Sequence, residues 1–192
     1  ASVCIDLHTT TSNMGCTLIV NTWSPLSIRA AAFVAGEWAT ESAAAEADGR
    51  PPLAPFFVML ADGDTQESSP HVCSVARDGL EIECGPTPQG LVRADVVASM
   101  DCAVRLLLRY FDLLHAGKAP TPPETLEVYV DKGKISFLEF EGGVRDGSSL
   151  PAGLVARSLQ DRDFQPLRTG EPLFEALDGG VVRYDGSSGD VV

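Results

Sequence analysis

SVCIDLHTTTSNMGCTLIVN, Ser2 to Asn21, is the stretch whose reading decides the fold. An apolar run, Val3 to Leu7, stops at a histidine. A hydroxyl-rich loop follows, Thr9 to Asn13, and a second apolar run fills Cys16 to Asn21. Two strands joined by a polar loop is the direct reading. Successive side chains on a strand alternate faces, so Asp6 and His8 share one face while Ile5 and Leu7 share the other. An imidazole at a strand end with a carboxylate two residues back has the form of a metal ligand and its orienting partner. One histidine falls short of the ligand count of a zinc site. From these residues alone, a polar turn carrying a hydrogen-bonded histidine is the simpler reading.

Working outward, Ser24-Pro25 opens a helix, with Ser24 as N-cap and proline in the first turn. The spacing predicts a helix from Pro25 to about Glu37, with Ile28, Ala31, Ala32 and Trp38 facing inward. Ala39 to Pro52 reads as a helix tail and an exposed loop. FFVML, Phe56 to Leu60, is a continuous apolar run that fits an interior strand of a parallel sheet. LEIEC, Leu80 to Cys84, alternates: Leu80, Ile82 and Cys84 take one face, Glu81 and Glu83 the other, and Gly85-Pro86 ends the strand. Asp95 to His115 carries apolar residues at helical spacing over several turns. Asp95 reads as its N-cap, Arg93 as a surface partner, and Gly117 as its stop.

Strands alternating with helices indicate an α/β layered domain. APTPP, Ala119 to Pro123, reads as a linker. Past it, Leu126 to Val130 and Ile135 to Phe140 read as one hairpin. Pro172 to Leu177 and Val181 to Tyr184 read as another, around Asp178-Gly179-Gly180. The expected organisation is an α/β domain over residues 1–118 and a small β-rich domain over residues 124–192.

The 192 residues are 44% hydrophobic and 21% charged, an ordinary globular composition. The net charge of −13 opposes binding to nucleic acid and to anionic membranes, and no basic run offsets it. No apolar run reaches the length of a membrane span. The five cysteines include no CxxC pair, and Cys4 and Cys102 sit in apolar patterns. Reduced thiols and a cytoplasmic location are the expectation. The chain starts inside an apolar run without an initiator methionine and ends just past a glycine-rich turn, so it reads as a fragment of a longer protein.

Glu83 is the second residue of chemical interest. It sits at the carboxyl end of a predicted strand, where open α/β sheets place their sites, and a carboxylate there can act as general base or acid. The alternative is a surface carboxylate on an amphipathic edge strand, with Glu81 as its neighbour. His71 and His115 read as exposed loop and helix-end residues. Cys84 has no histidine near it in sequence, so a buried structural thiol is the simpler reading.

Three stretches together point further: DLHTTTSNMGCTLI at Asp6 to Ile19, IECGPTPQGLVRAD at Ile82 to Asp95, and LQDRDFQPLRTGEPLF at Leu159 to Phe174. In order and spacing they resemble the aspartoacylase and aminoacylase-3 family, over nearly the whole chain. That family is similar in fold to the zinc carboxypeptidases, with an α/β N-terminal domain and a β-rich C-terminal domain. The resemblance implies zinc-dependent hydrolysis of small-molecule N-acyl amino acids, with one zinc per full-length subunit. By the DLH motif, His8 matches the family's third zinc ligand, and Asp6 stays the orienting partner that strand alternation gives it. By the IE-x-GPxPQG motif, Glu83 matches the catalytic glutamate.

The departures are specific. The family's remaining two ligands come from an HxxE motif, which this chain does not contain. The Asn-Arg substrate-binding motif is likewise missing, and the usual asparagine after DLH is Thr9. These 192 residues are therefore expected to be inactive alone. Aspartoacylases carry an arginine ten residues before the catalytic glutamate, where this chain has Cys73. That favours neutral or aromatic substrates of the aminoacylase-3 type, while nearby Arg77 keeps N-acetylaspartate open. Substrate-contacting residues stay unassigned. The resemblance is compatible with an oligomer of identical chains. A non-catalytic derivative of the fold, acting as a binding or regulatory protein, is the competing expectation.

Overall fold

Both apolar runs of the opening stretch become strands, β1 (Val3–Thr9) and β2 (Gly15–Asn21). The computed structural model describes residues 2–63, 65–131, 135–139, 151–187 and 189. The chain divides into two units, Ala1–Asp131 and Lys132–Val192.

In the first unit, β1 and β2 join β3 (Phe56–Ala61), β4 (Asp78–Gly85) and β5 (Tyr129–Val130) in one sheet of order β1-β4-β2-β3-β5. β1 runs parallel to β4; β2 runs antiparallel to β4 and parallel to β3; β3 runs parallel to β5. β3 is interior and parallel on both sides, as its unbroken apolar run predicts. β4 is interior too, so the edge-strand alternative for Glu83 does not hold. At Gly15 the chain takes φ +60, and a Cβ there would run into Pro55 O, the acceptor of the Cys16 N–H. Only glycine meets both conditions.

Two helices cover one face of this sheet. α1 (Pro25–Ala47) is capped by Ser24, whose hydroxyl accepts from Ser27 N at 3.2 Å. It runs ten residues past Glu37, through the stretch expected to hold a helix tail. The extension is rich in alanine, the residue that gives up least on entering a helix, and Trp38 and Ala45 anchor it in the core. Trp38 Nε1 donates to Ala54 O at 2.9 Å, fixing this part of α1 to the approach to β3. α2 (Ala94–His115) begins one residue before the expected start. Asp95 is not its N-cap: that position is Arg93, which makes no capping hydrogen bond from its side chain. The Asp95 carboxylate is held instead by the Arg93 guanidinium at 2.6 Å, and it lies in the first turn, where negative charge favours the helix dipole. The core joins Leu18, Val20, Leu80 and Ile82 of the sheet to Ala31 and Val34 of α1 and to Leu106 and Leu107 of α2.

Past the linker, pairing departs from expectation. Within the expected strand Leu126–Val130, Tyr129 and Val130 pair with Met59 and Leu60 of β3. Residues 132–134, which include two of the three expected turn residues Asp131-Lys132-Gly133, and Phe140 lie outside the described residues. The second unit holds a separate antiparallel sheet of order β6-β7-β8, from Gly153–Val155, Pro172–Ala176 and Val181–Arg183. The hairpin around Asp178-Gly179-Gly180 is β7-β8, as expected, with Gly180 N donating to Asp178 Oδ1 at 2.9 Å. Phe174 of β7 is buried, as are Ala156, Leu167 and Tyr184.

Candidate active site

The parallel register of β1 on β4 sets His8 directly beside Glu83 and Asp6 directly beside Glu81. Side chains at one register level on neighbouring strands point to the same face. All four therefore stand on the face opposite the helices, toward the carboxyl ends of a parallel pair, where α/β sheets open a crevice. Thr17 of β2 lies across from Glu83, and Ile19 across from Glu81.

The loops that follow these two strands are seated on one another. Thr10 N donates to Cys84 O at 3.0 Å, and Thr87 N donates to Thr10 O at 2.7 Å. Gly85 lies under this loop, where a Cβ would collide with the carbonyl oxygens of Thr10 and Ser12. The close approach of the two loops thus requires glycine at position 85, for space rather than for φ. Thr17 Oγ1 donates to Met14 O at 2.7 Å and anchors the far end of the loop after His8.

His8 is half-exposed, with Nε2 3.0 Å from Asp6 Oδ2. That hydrogen bond raises the imidazole above its usual pKa; slight burial opposes it, and the charges of Asp6, Glu81 and Glu83 reinforce it. With Nε2–H held by Asp6, Nδ1 is the nitrogen left for another partner. Burial pushes the Glu81 carboxyl above its ordinary range, and the His8 charge partly offsets this. His71 stands outside this row, with Nδ1 3.9 Å from Glu81 Oε2. Cys73 is buried in the short turn Val72–Val75, and burial raises its thiol, with the Glu81 charge adding to the effect. Arg77 is turned to Asp78, with Nε–Oδ2 at 2.9 Å.

His8, Glu83 and Asp6, the three candidates read from the sequence, stand on one face. Glu81 joins them; its signal was the alternation of LEIEC, which places it on the side of Glu83. His115 ends α2, away from this row. Among the described residues, no group of three or more His, Cys, Asp or Glu side chains is arranged to hold a metal ion. His8 fits the part of one metal ligand with an oriented ring, and a zinc site needs about three protein ligands. No helix among the described residues is long and apolar enough to cross a membrane.

The comparisons with known proteins agree with this architecture. The chain is 32% identical over 185 residues to the human N-acyl-aromatic-L-amino acid amidohydrolase (carboxylate-forming), covering 96% of this chain and 51% of the relative. It is 34% identical over 184 residues to a probable aspartoacylase of Prochlorococcus marinus, covering 96% and 53%. The crystal structure of murine aminoacylase 3 superposes with a TM-score of 0.69 at 28% identity, covering 95% of this chain and 54% of that one. No protein-family model matches. Sheet and relatives together mark an α/β chain homologous to amidohydrolases. More narrowly, its homologues are the aminoacylase-3 and aspartoacylase enzymes, and the chain spans about half the length of the curated relatives it matches.

Proposed function

We propose that the full-length protein is a zinc-dependent amidohydrolase that removes the acyl group from N-acyl amino acids, with His8 as one zinc ligand and Glu83 as general base and acid. The observation that carries this reading is the direct pairing of His8 with Glu83 across β1 and β4. Zinc, when bound, lowers the pKa of a water and polarises the amide carbonyl. Asp6 holds the His8 ring by its Nε2–H and leaves Nδ1 for the metal. Glu83 takes a proton from the attacking water and returns it to the leaving amine, yielding a carboxylate and a free amino acid. The remaining ligands come from residues outside these 192, so the activity belongs to the longer protein.

Neutral or aromatic N-acyl amino acids are the favoured substrates. Asp6, Glu81 and Glu83 make this face negative, and Cys73 offers no positive charge beside it. Arg77 is engaged by Asp78. An acidic substrate side chain would go unpaired there, which discriminates strongly against it. The five free thiols support a cytoplasmic setting. The second reading, a non-catalytic binding or regulatory derivative, is favoured by one fact: the described residues hold no complete metal-ligand set.

The test is zinc content and hydrolysis by the full-length protein, with N-acetylated aromatic amino acids compared against N-acetylaspartate and Glu83→Gln as control. Loss of a general acid–base costs about 10²–10⁴-fold in kcat, and that drop is expected for Glu83→Gln. Undiminished activity in the variant removes Glu83 as the base. A full-length protein without zinc and without hydrolysis supports the second reading.

A further inference from the structure

The antiparallel register of β2 on β4 sets Cys16 directly opposite Cys84. The Cys16 N–H donates to Pro55 O at 2.8 Å, on the β3 side, while Cys84 O accepts from Thr10 N at 3.0 Å, on the β1 side. The main-chain groups of each residue thus point away from the other's strand. This is the non-hydrogen-bonded kind of antiparallel pair, with Cα atoms about 4.5 Å apart and side chains at their closest. A disulfide accepts Cα separations of about 4.4–6.8 Å, so a bond between these sulfurs requires no strand to move.

Both residues lie on the helix side of the sheet, at 0% and 1% exposure, and the Cys16 thiol donates to Ser99 O at 3.9 Å. Cys84, unlike Cys16, also lines a cavity of about 220 Å³ bounded by Asn13, Gly15, Pro86, Arg93 and Ser99. A small oxidant entering there meets Cys84 first. The neighbouring Cys16 thiol draws the Cys84 thiol below its ordinary pKa against the opposing effect of burial, while Cys84 and burial push the Cys16 thiol up. The thiolate is the reactive form.

We propose that Cys16 and Cys84 form a reversible dithiol–disulfide pair, oxidised by a peroxide that enters through this cavity. The Cys84 sulfur attacks a peroxide oxygen. An S–O bond forms, the O–O bond breaks, and hydroxide leaves as water after taking a proton. The Cys16 sulfur then attacks the Cys84 sulfur; the S–S bond forms, the S–O bond breaks, and a second water leaves. Two thiols lose two electrons and two protons, and one hydrogen peroxide becomes two waters. The linkage ties β2 to β4 one residue beyond Glu83.

The test exposes the folded full-length protein to hydrogen peroxide, blocks remaining thiols, and maps linked peptides by mass spectrometry. A peptide pair joining Cys16 to Cys84, released by dithiothreitol, is expected. Cys16→Ala should abolish that pair and leave Cys84 open to over-oxidation, whereas Cys84→Ala should abolish it and leave Cys16 reduced. Should either variant fail to fold, the map of the unaltered protein decides alone. Linkage through Cys4, Cys73 or Cys102 instead, over-oxidation without linkage, or intact thiols under conditions that fully oxidise free cysteine overturns the proposal.

Discussion

On one face of the five-stranded sheet, Leu18, Leu80 and Ile82 are sealed from water beneath α1 and α2. On the other face, Asp6, His8, Glu81 and Glu83 stand side by side, away from α1 and α2. The same strands supply both faces, because alternation along β4 sends Ile82 one way and Glu83 the other. One side is therefore where folding free energy is gained. The other gathers three carboxylates and an imidazole, groups whose chemistry is the exchange of protons. Mutations on the two sides should separate into losses of stability and losses of chemistry.

The largest separation is expected from Leu18→Ala, on the sealed side. Emptying such a site costs about 2–5 kcal/mol, read as a lower urea midpoint. Glu83→Gln, on the open side, should shift the same midpoint by no more than about 0.5 kcal/mol. Equal shifts would erase the distinction. A smaller effect is expected from Asp6→Ala, which frees the His8 ring to rotate. Losing a carboxylate that orients a metal-binding histidine weakens metal affinity about 10–100-fold, measurable by chelator competition on the full-length protein. Unchanged affinity would mean that His8 is not a ligand or that Asp6 does not orient it.

The smallest effect concerns pH. His8 and Glu81 both have pKa values raised by folding. A group with a raised native pKa stabilises the fold below its unfolded pKa and loses that contribution as pH rises through the native value. For Glu81 the loss begins above the ordinary carboxylate range; for His8 it begins above the ordinary imidazole range. Both act in one direction, so the metal-free protein should be slightly more stable near pH 5 than near pH 8. His8 is largely exposed, which limits its share to a few tenths of a kcal/mol. Urea midpoints at the two pH values check this, with His8→Gln removing its part. Leu18→Ala should carry the same offset at both.

Local pattern made the elements legible, but not their partners. LEIEC and FFVML announced strands, and the heptad-like spacing from Val96 to Leu114 announced α2. The length of α1 was obscured because its second half is alanine-rich without a marked apolar stripe. β6 is three residues long and exists through its pairing with β7, so little in its own letters betrays it. Leu126–Val130 was recognisable as extended chain, yet the strand it joins is chosen by the sheet. The meeting of His8 with Glu83 depends on β4 inserting between β1 and β2, a long-range pairing that periodicity does not encode. Only the family resemblance connected those two residues in advance. The facing of Cys16 and Cys84 was hidden for the same reason.

Gly85 shows how narrow the tolerances around this row are. Two chain reversals nest over it so closely that a methyl group there would strike the carbonyl oxygens of Thr10 and Ser12. A larger residue there would push these reversals apart without altering Asp6, His8, Glu81 or Glu83, so a limit on this row falls on a residue with no chemistry of its own.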